Sequence, residues 1–278
     1  MNYRHAFHAG NFADLVKHAA LTCLLARLTQ DPSPLTVVDT HAGAGLYDLG
    51  DEHQARSREA EAGVARLQGA ALPAEFKGLK RAIDARNPDG RLRTYPGSPA
   101  LILGALRPQD RYVACELRDD DHGRLASLLK SSGKAARAVQ ADGYAAAVTE
   151  AEKVRGRLFV LIDPPFERPD DYVRIVETLE AVLDARRDTT ALVWLPLKDL
   201  ETLDGFVRRL EAVETAPLLI AEARMRRLDE PMRMNGCVLA ALNPPAGFEA
   251  ELAAVCGFVA AELGEAGGQA KVWNPRAT

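Results

Sequence analysis

Short apolar runs alternate with longer amphipathic stretches along most of the chain. The apolar runs predict β-strands at residues 35–38, 111–115, 136–140, 158–162, 190–195, 217–223 and 237–242. The stretches between and around them predict helices at residues 12–27, 96–106, 119–130, 144–150, 169–185, 198–212 and 249–263. Strands that alternate with helices in this way are typical of a doubly wound α/β fold with right-handed crossovers. The pattern therefore predicts a mostly parallel, seven-stranded sheet with helices on both faces.

Residues 46–95 interrupt this alternation. They are polar and rich in Glu and Arg, with helical periodicity near 58–67 and 73–85 and a turn at 87–90. The interval is too long for a crossover connection and too strongly patterned for a linker. We therefore predict an inserted helical subdomain at 46–95, within a main domain made of residues 1–45 and 96–278.

The second half of this insertion is locally basic. Its Lys and Arg residues outnumber the acidic residues Asp84 and Asp89. The basic positions are Lys77, Lys80, Arg81, Arg86, Arg91 and Arg93. Two interpretations remain open. One is a solubilising surface, and the other is a patch that contacts nucleic-acid phosphates and makes binding salt-dependent.

The overall composition limits the class of function only weakly. The chain has a formal net charge of -4, so its total charge does not indicate a nucleic-acid partner, although a local basic patch would be sufficient for one. The four cysteines lie far apart without a Cys-x-x-Cys pair, which indicates reduced thiols and no metal site. Because no apolar run has the length of a signal peptide or membrane span, we expect a cytoplasmic protein with no membrane partner.

The strand predicted at 158–162 ends abruptly in Asp163-Pro164-Pro165-Phe166. Proline cannot continue a sheet ladder, so the strand stops here and leaves Asp163 and Phe166 at its carboxyl end. In open α/β sheets, ligands bind at that edge. By itself the turn has two interpretations: a rigid cap on a buried strand, or a site that grips a flat, amino-bearing base.

Three other predicted strands also end in an acidic residue, namely Asp39, Glu116 and Asp142. Each could be the N-cap of the next helix, but four carboxylates at one edge of a parallel sheet converge on a single crevice. The loop after Asp39 contains Gly43 and lets the backbone approach a ligand closely, yet it lacks both the third glycine of a dinucleotide fingerprint and the Gly-Lys-Ser/Thr of a P-loop. These residues suit S-adenosyl-L-methionine. The loop would follow the methionine portion, Glu116 would hold the ribose hydroxyls and Asp142 the adenine amino group.

The first predicted helix is apolar on most of its surface. Asp14, Lys17 and His18 break the pattern, and their spacing places them on one face. Such a cluster is ordinarily a solvated face. Here it lies on the first turns, beside an N-terminal arm rich in Tyr and His, which favours a site.

These motifs together resemble one known family. The segments that carry the resemblance are residues 3–11, Asp14 with Lys17-His18, residues 39–45, 95–99, 141–143 and 163–166, and Asn243-Pro244-Pro245. They look like the RlmJ family, over essentially the whole chain. The resemblance implies a Rossmann-like methyltransferase fold that uses S-adenosyl-L-methionine, releases S-adenosyl-L-homocysteine, and methylates adenine N6 in its partner, 23S ribosomal RNA.

The resemblance also implies roles for individual residues. The implied cofactor contacts are Lys17, His18, His41, Ser98, Glu116, Asp142 and Gly143. Asp163 is implied to be the catalytic acceptor and Tyr3 a substrate contact, and we place Arg4, His5 and His8 of the same arm with Tyr3. Phe166 departs from the family, which has Tyr there. A ring that only stacks tolerates this change, whereas a hydroxyl contact would be lost.

We predict that Asp163 and the Pro164 carbonyl accept hydrogen bonds from the adenine amino group while Phe166 stacks on an extruded base. This chemistry needs no metal, and we expect a monomer. The alternatives are a DNA adenine-N6 methyltransferase, a protein-glutamine methylase, whose tetrapeptide begins with Asn, and a non-catalytic RNA-binding module that keeps the cofactor pocket. A dehydrogenase is disfavoured by the missing third glycine.

Overall fold

The computed structural model describes residues 8–50, 59–213, 217–229 and 234–277. The strands are β1 (Leu35–Asp39), β2 (Leu46–Asp48), β3 (Thr94–Pro96), β4 (Arg111–Cys115), β5 (Ala136–Val139), β6 (Arg157–Ile162), β7 (Thr190–Leu197), β8 (Leu218–Arg224), β9 (Gly236–Leu242) and β10 (Gln269–Trp273). The α-helices are α1 (Phe12–Leu28), α2 (Glu59–Ala62), α3 (Lys77–Arg86), α4 (Ser98–Ala105), α5 (Asp119–Ser131), α6 (Gly143–Lys153), α7 (Asp171–Ala185), α8 (Leu200–Ala212) and α9 (Phe248–Leu263). Two 3-10 turns, Val64–Leu67 and Ala74–Phe76, complete the regular elements of these residues.

The main sheet has eight strands in the order β10-β8-β9-β7-β6-β1-β4-β5. Strands β7, β6, β1, β4 and β5 are mutually parallel, whereas β9 is antiparallel to both β7 and β8. The mostly parallel α/β sheet predicted from the sequence is thus confirmed. The sheet order places β1 at its centre, between β6 and β4.

The predicted number of seven strands was wrong because β10 adds an antiparallel edge next to β8. Its first three residues, from Gln269 to Lys271, are exposed, and only Val272 and Trp273 are half-buried. An edge strand with one side in water needs no continuous apolar run. The hydrophobic pattern therefore gives no signal for it.

Helices cover both faces of the sheet, as predicted. Successive side chains of a strand point to opposite faces. In β6, Phe159 and Leu161 join the core under α1, α4, α5 and α9, while Val160 and Ile162 join the core under α6, α7 and α8. All five residues of β1 are buried. Burying a side chain such as Leu161 contributes about 1.5–3 kcal/mol, so the two cores fix the sheet between its helices.

The inserted segment is less helical than predicted. The helix expected at 58–67 is split at Gly63, where a Cβ would collide with the Gly10 carbonyl oxygen, and the Val64 amide instead donates to that oxygen at 2.8 Å. The helix expected at 73–85 is present as a 3-10 turn that continues into α3. Strands β2 and β3 pair antiparallel and close the segment at its base. Its residues Phe76 and Leu79 belong to the core that also contains α1, and its independence as a subdomain stays a prediction.

The six basic side chains from Lys77 to Arg93 are all exposed. Lys80 is paired with Asp84 at 2.6 Å and Arg93 with Asp89 at 3.0 Å. The buried face of α3 is formed by Leu79 and Ile83. Whether this surface contacts RNA stays a prediction.

Cys23, Cys115, Cys237 and Cys256 are free and buried. In the described ranges, no cluster of three or more His, Cys, Asp or Glu side chains has an arrangement that could hold a metal ion. No helix in those ranges is long and apolar enough to cross a membrane.

Candidate active site

A cavity of about 380 Å³ opens at the carboxyl ends of the central parallel strands. Its walls come from the ends of β6, β1, β4 and β5, from the first turns of α1, and from the carboxyl half of β7 with the residue that follows it. The acidic strand ends Glu116, Asp142 and Asp163 line it, as the sequence predicted. Sheet order makes this convergence possible, because β6, β1, β4 and β5 are neighbours.

The turn that follows β6 gives the cavity an aromatic wall. Asp163, Pro164 and Phe166 all line the cavity. Phe166 has a φ of 50°, a left-handed conformation that costs energy for a residue with a side chain. Its ring is fixed by Tyr172 and Trp194, whose centroids lie 4.9 and 5.9 Å away. Packing against these two rings therefore stabilises the strained backbone, and this conformation places the Phe166 ring at the cavity.

Lys17 of α1 forms an ion pair with Asp163. Its Nζ lies 2.5 Å from Asp163 Oδ2 and 3.0 Å from Asp14 Oδ1. Only 4% of Lys17 is exposed. Burial alone would lower the pKa of Lys17, but the Asp14 and Asp163 carboxylates outweigh it and raise the pKa well above its ordinary value. Lys17 is therefore protonated and holds one oxygen of Asp163.

His18 and Asp14 form the inner wall of the cavity beside Lys17. The buried Nδ1 of His18 lies 2.8 Å from the Tyr95 hydroxyl. Asp14 accepts from the Gly10 amide at 2.9 Å, and the Asn11 side chain caps α1 by accepting from the Asp14 amide at 3.0 Å. The polar residues predicted to share one face of this helix do so, and that face is buried rather than solvated.

Asp39 lies beneath the cavity and is not among its lining residues. It is fully buried and accepts hydrogen bonds from Ser98 Oγ at 2.7 Å and the Tyr112 hydroxyl at 3.1 Å. Burial raises the pKa of Asp39 to about 6, although both hydrogen bonds oppose this. Ser98 and His41 do line the cavity, and the His41 amide also donates to Asp39 Oδ1 at 3.4 Å, so Asp39 supports the site through residues that line it.

The loop after β1 contributes His41 and Gly43. The His41 ring meets the Tyr144 ring edge-on at 4.9 Å, and burial lowers the pKa of His41 to about 4, so the imidazole is neutral at pH 7. Gly43 has a φ of 62°, and a Cβ there would collide with the Tyr47 hydroxyl. Its amide donates to Glu116 Oε2 at 3.0 Å.

Among the described residues, the Glu116 carboxylate accepts hydrogen bonds from main-chain donors. Besides the Gly43 amide, the Arg118 amide donates to its Oε1 at 2.8 Å. Burial raises the pKa of Glu116 against the effect of these hydrogen bonds. The result is a fixed carboxylate at the end of β4.

Asp142 caps α6 and is also paired with an arginine. It accepts from the Tyr144 amide at 3.0 Å, and its other oxygen lies 2.5 Å from Arg174 Nη2. Burial would raise the pKa of Asp142, but the Arg174 guanidinium lowers it overall. The neighbouring Gly143 has no space for a side chain, because a Cβ would collide with the Thr40 carbonyl oxygen. The N-cap and the cavity-lining roles considered for Asp142 thus occur together.

Arg174, which lies over the Tyr144 ring at 4.4 Å, was not predicted from the sequence. Trp194 was missed as well, and Tyr95 was noted only within the segment 95–99, with no role in the site. Both contact predicted site residues from distant positions in the chain. Only tertiary packing brings them to the site.

The N-terminal arm is described from His8 onward, so Tyr3, Arg4 and His5 lie outside the described residues. His8 lines the cavity, and its Nδ1 lies 2.7 Å from Glu59 Oε1. That hydrogen bond raises the pKa of His8. Asn11 donates to the other Glu59 oxygen at 2.9 Å, so Glu59 ties the start of the chain to the insertion.

The fold and the carboxylate-lined cavity at its sheet edge define the class: the chain has the Rossmann-like α/β fold of the methyltransferases. The family described as ribosomal RNA large subunit methyltransferase D, RlmJ, matches residues 32–274, and the chain belongs to it. The family predicted from the motifs is thereby confirmed.

Named relatives agree with this assignment. The ribosomal RNA large subunit methyltransferase J of Escherichia coli strain K12 is 32% identical over 96% of this chain and 95% of its own length. Its counterpart in Haemophilus influenzae is 29% identical over 95% and 94%. A crystal structure of a Legionella pneumophila protein, 28% identical, superposes with a TM-score of 0.87 over 96% of this chain and 98% of that one.

Proposed function

We propose that this protein transfers a methyl group from S-adenosyl-L-methionine to the N6 amino group of a specific adenine in 23S ribosomal RNA, and that the base is flipped into the cavity. The observation that carries this proposal is the turn after β6, where a carboxylate and an aromatic ring face one cavity. The relatives named above support the choice of large-subunit ribosomal RNA. An amino group on a flat base needs an acceptor and a stacking surface, and this turn provides both.

The residues present fit the cofactor. Gly143 packs against the Thr40 carbonyl oxygen and Gly43 against the Tyr47 hydroxyl, with no room for a Cβ at either, so the loop after β1 and the start of α6 are held together at the cavity edge. Glu116 is a fixed carboxylate suited to vicinal ribose hydroxyls, and Asp142 is suited to the adenine amino group. We assign His18, His41 and Ser98 to the same ligand as cavity-lining polar groups. When bound, the cofactor supplies a methyl group already activated by its sulfonium.

Asp163 and Pro164 orient the acceptor. Lys17 holds Oδ2 of Asp163, so Oδ1 is left to accept a hydrogen bond from the adenine amino group. The Pro164 carbonyl accepts the second amino hydrogen. Together they localise the nitrogen lone pair, which in adenine is delocalised into the ring, and aim it at the methyl group. Asp163 then takes the proton that the nitrogen loses.

Lys17 lines the part of the cavity assigned to the cofactor. It also affects the acceptor, through its ion pair with Asp163. Its protonated amine balances the charge of a carboxylate that is largely withdrawn from water. It also fixes the carboxylate orientation, because a buried ion pair of this length leaves little rotational freedom. Phe166 stacks on the base, an interaction worth roughly 1–3 kcal/mol.

The remaining expectations follow from this proposal. The substrate places the protein in the cytoplasm, and neither a membrane nor a metal takes part. We retain the prediction of a monomer. Tyr3, Arg4, His5 and His8 are assigned to the RNA, with His8 reaching it from its contact with Glu59.

A methyl-transfer assay separates this function from its alternatives. Purified protein is incubated with radiolabelled cofactor and either protein-free ribosomal RNA or duplex DNA. We expect label in the RNA alone, and no label with Asp163→Ala although S-adenosyl-L-homocysteine still binds by calorimetry. Label in duplex DNA, or full turnover by Asp163→Ala, would contradict the proposal.

A further inference from the structure

Two of the cations that line the cavity have no side-chain partner in the part of the chain that the structure describes. Arg118 is paired with Asp121 at 3.2 Å and Arg174 with Asp142 at 2.5 Å. Arg168 and Lys198 also line the cavity, and their exposed side chains form no hydrogen bond or ion pair with the described part of the chain. Their charges are therefore available to a ligand.

Both cations lie at one end of the cavity. Arg168 follows the turn after β6, and Lys198 follows β7 directly. These strands are neighbours, with Ile162 opposite Val193. The carboxylates assigned to the cofactor lie at the ends of β4 and β5, on the other side of β1. Asp163, at the end of β6, lies between Lys198 and these carboxylates along the sheet edge.

Buried side chains fix the main chain of each cation. The Arg168 amide donates to Asp171 Oδ2 at 3.1 Å, and Asp171 is only 2% exposed. The Lys198 carbonyl accepts from Asn235 Nδ2 at 2.9 Å, and Asn235 is fully buried. These hydrogen bonds fix the main chain of both residues, so each charged side chain starts from a defined position at the cavity.

Each of these cations follows a residue of the aromatic wall closely in the chain. Phe166 precedes Arg168 by two positions and Trp194 precedes Lys198 by four, and their ring centroids are 5.9 Å apart. A base that stacks here carries its own sugar and phosphates outward past the rim. Glu167 also lines the cavity, and it is already engaged in an interaction within the protein.

We propose that Arg168 and Lys198 bind the phosphates that flank the flipped adenine, and so form a subsite for the acceptor RNA strand. This inference rests on the proposed function and deepens it. Phosphate contacts position a strand without reading its sequence. The two cations therefore set where the strand enters and which way it runs, while the turn after β6 selects the base.

The test is the salt dependence of RNA binding. Fluorescence anisotropy with a labelled ribosomal RNA fragment gives the affinity of the wild type, Arg168→Gln, Lys198→Gln and the double variant. Each affinity is measured at salt concentrations between about 50 and 200 mM, a roughly fourfold range. We expect each variant to bind roughly threefold to tenfold more weakly at low salt, and the slope of log affinity against log salt to fall by about 1 for each charge removed. In turnover assays the KM for RNA should rise while kcat stays within about twofold. S-adenosyl-L-homocysteine affinity should not change.

Arg187→Gln is the matched control. Arg187 is exposed, forms no side-chain ion pair in the described residues, and lies just before β7, at the opposite end of that strand from Lys198. It should leave affinity and slope unchanged. Variants that methylate RNA with wild-type KM and salt slope would overturn the subsite while leaving the proposed function intact. A wild type that binds duplex DNA more tightly than RNA would overturn both.

Discussion

The Lys17 ammonium lies 2.5 Å from Asp163 Oδ2, across 146 residues of sequence. The first helix of the chain thus delivers a buried cation to the end of β6, the strand that carries the acceptor turn. Asp14, one turn earlier, holds the same ammonium at 3.0 Å. A residue that resemblance assigned to the cofactor therefore also controls the charge and orientation of the catalytic acceptor.

Replacing Lys17 with Met should destabilise the fold and slow methyl transfer. Loss of the cation leaves Asp14 and Asp163 buried without their partner, and breaking such a pair costs about 3 kcal/mol. Urea unfolding of Lys17→Met should show this loss. The double variant with Asp163→Asn should recover part of it, because the uncompensated carboxylate is then gone. Equal stability of wild type and Lys17→Met would refute the role given to this pair.

Asp39 should make stability fall as pH rises. Its folded pKa of about 6 is above the ordinary value of 3.8, so between these pH values the folded state binds more protons than the unfolded state. The stabilisation from protonated Asp39 is complete below pH 4 and is lost by pH 6. Asp39→Asn keeps an acceptor for Ser98 and removes the titration.

The free energy of unfolding of Asp39→Asn, relative to wild type, should therefore rise by about 2 kcal/mol between about pH 4 and 6, out of a total of about 3 kcal/mol over the full titration. Guanidinium titrations at several pH values measure this difference. His41 titrates in the opposite sense, with a folded pKa of about 4, and it cancels because both proteins contain it. A difference that does not vary with pH would show that Asp39 is not the titrating group.

Gly143→Ala should abolish cofactor binding. The added methyl group would overlap the Thr40 carbonyl oxygen, so the loop after β1 or the start of α6 must shift. Calorimetry with S-adenosyl-L-homocysteine should detect no binding. Gly205→Ala in α8, where a Cβ meets no atom within 4 Å, is the control and should bind normally with stability raised by up to about 1 kcal/mol. Normal binding by Gly143→Ala would place the cofactor elsewhere.

Methyl transfer to RNA should depend on the Phe166 ring but not on a hydroxyl at its tip. Phe166→Ala loses a stacking interaction of roughly 1–3 kcal/mol, so kcat/KM for RNA should fall by about fivefold to 150-fold. Phe166→Tyr should retain at least about half of the activity. Steady-state kinetics at fixed cofactor concentration compares the three proteins. An inactive Phe166→Tyr together with an active Phe166→Ala would rule out stacking.

The parts of the fold that hydrophobic pattern determines were predictable. Buried strands such as β1 and residues 158–162 of β6 appear as largely apolar runs, and the acidic residues at their ends identify the sheet edge. The edge strand β10 and the broken helix at Gly63 were not predictable, because their conformations depend on neighbours distant in sequence.

The candidate site was also predictable only in part. Its carboxylates could be placed at one edge of the sheet from the sequence, but the residues that pair with them could not be predicted. Lys17 with Asp163 and Arg174 with Asp142 join separate elements, and only tertiary packing specifies such pairs. The position of Asp39 beneath the cavity did have a signal. Asp39 lies two positions after Val37 in the same strand, so the two side chains point to the same face of the sheet. Val37 faces the core under α1 and α4, and Asp39 therefore points to that core too.

The central claim is that Asp163 directs methyl transfer to an adenine amino group in 23S ribosomal RNA. Nucleoside mass spectrometry of that RNA from cells lacking this protein, complemented with wild type or Asp163→Ala, tests it most directly. We predict that one N6-methyladenosine is absent without the protein, restored by the wild type and not restored by Asp163→Ala. An unchanged set of methylated adenines, or restoration by Asp163→Ala, would contradict the claim.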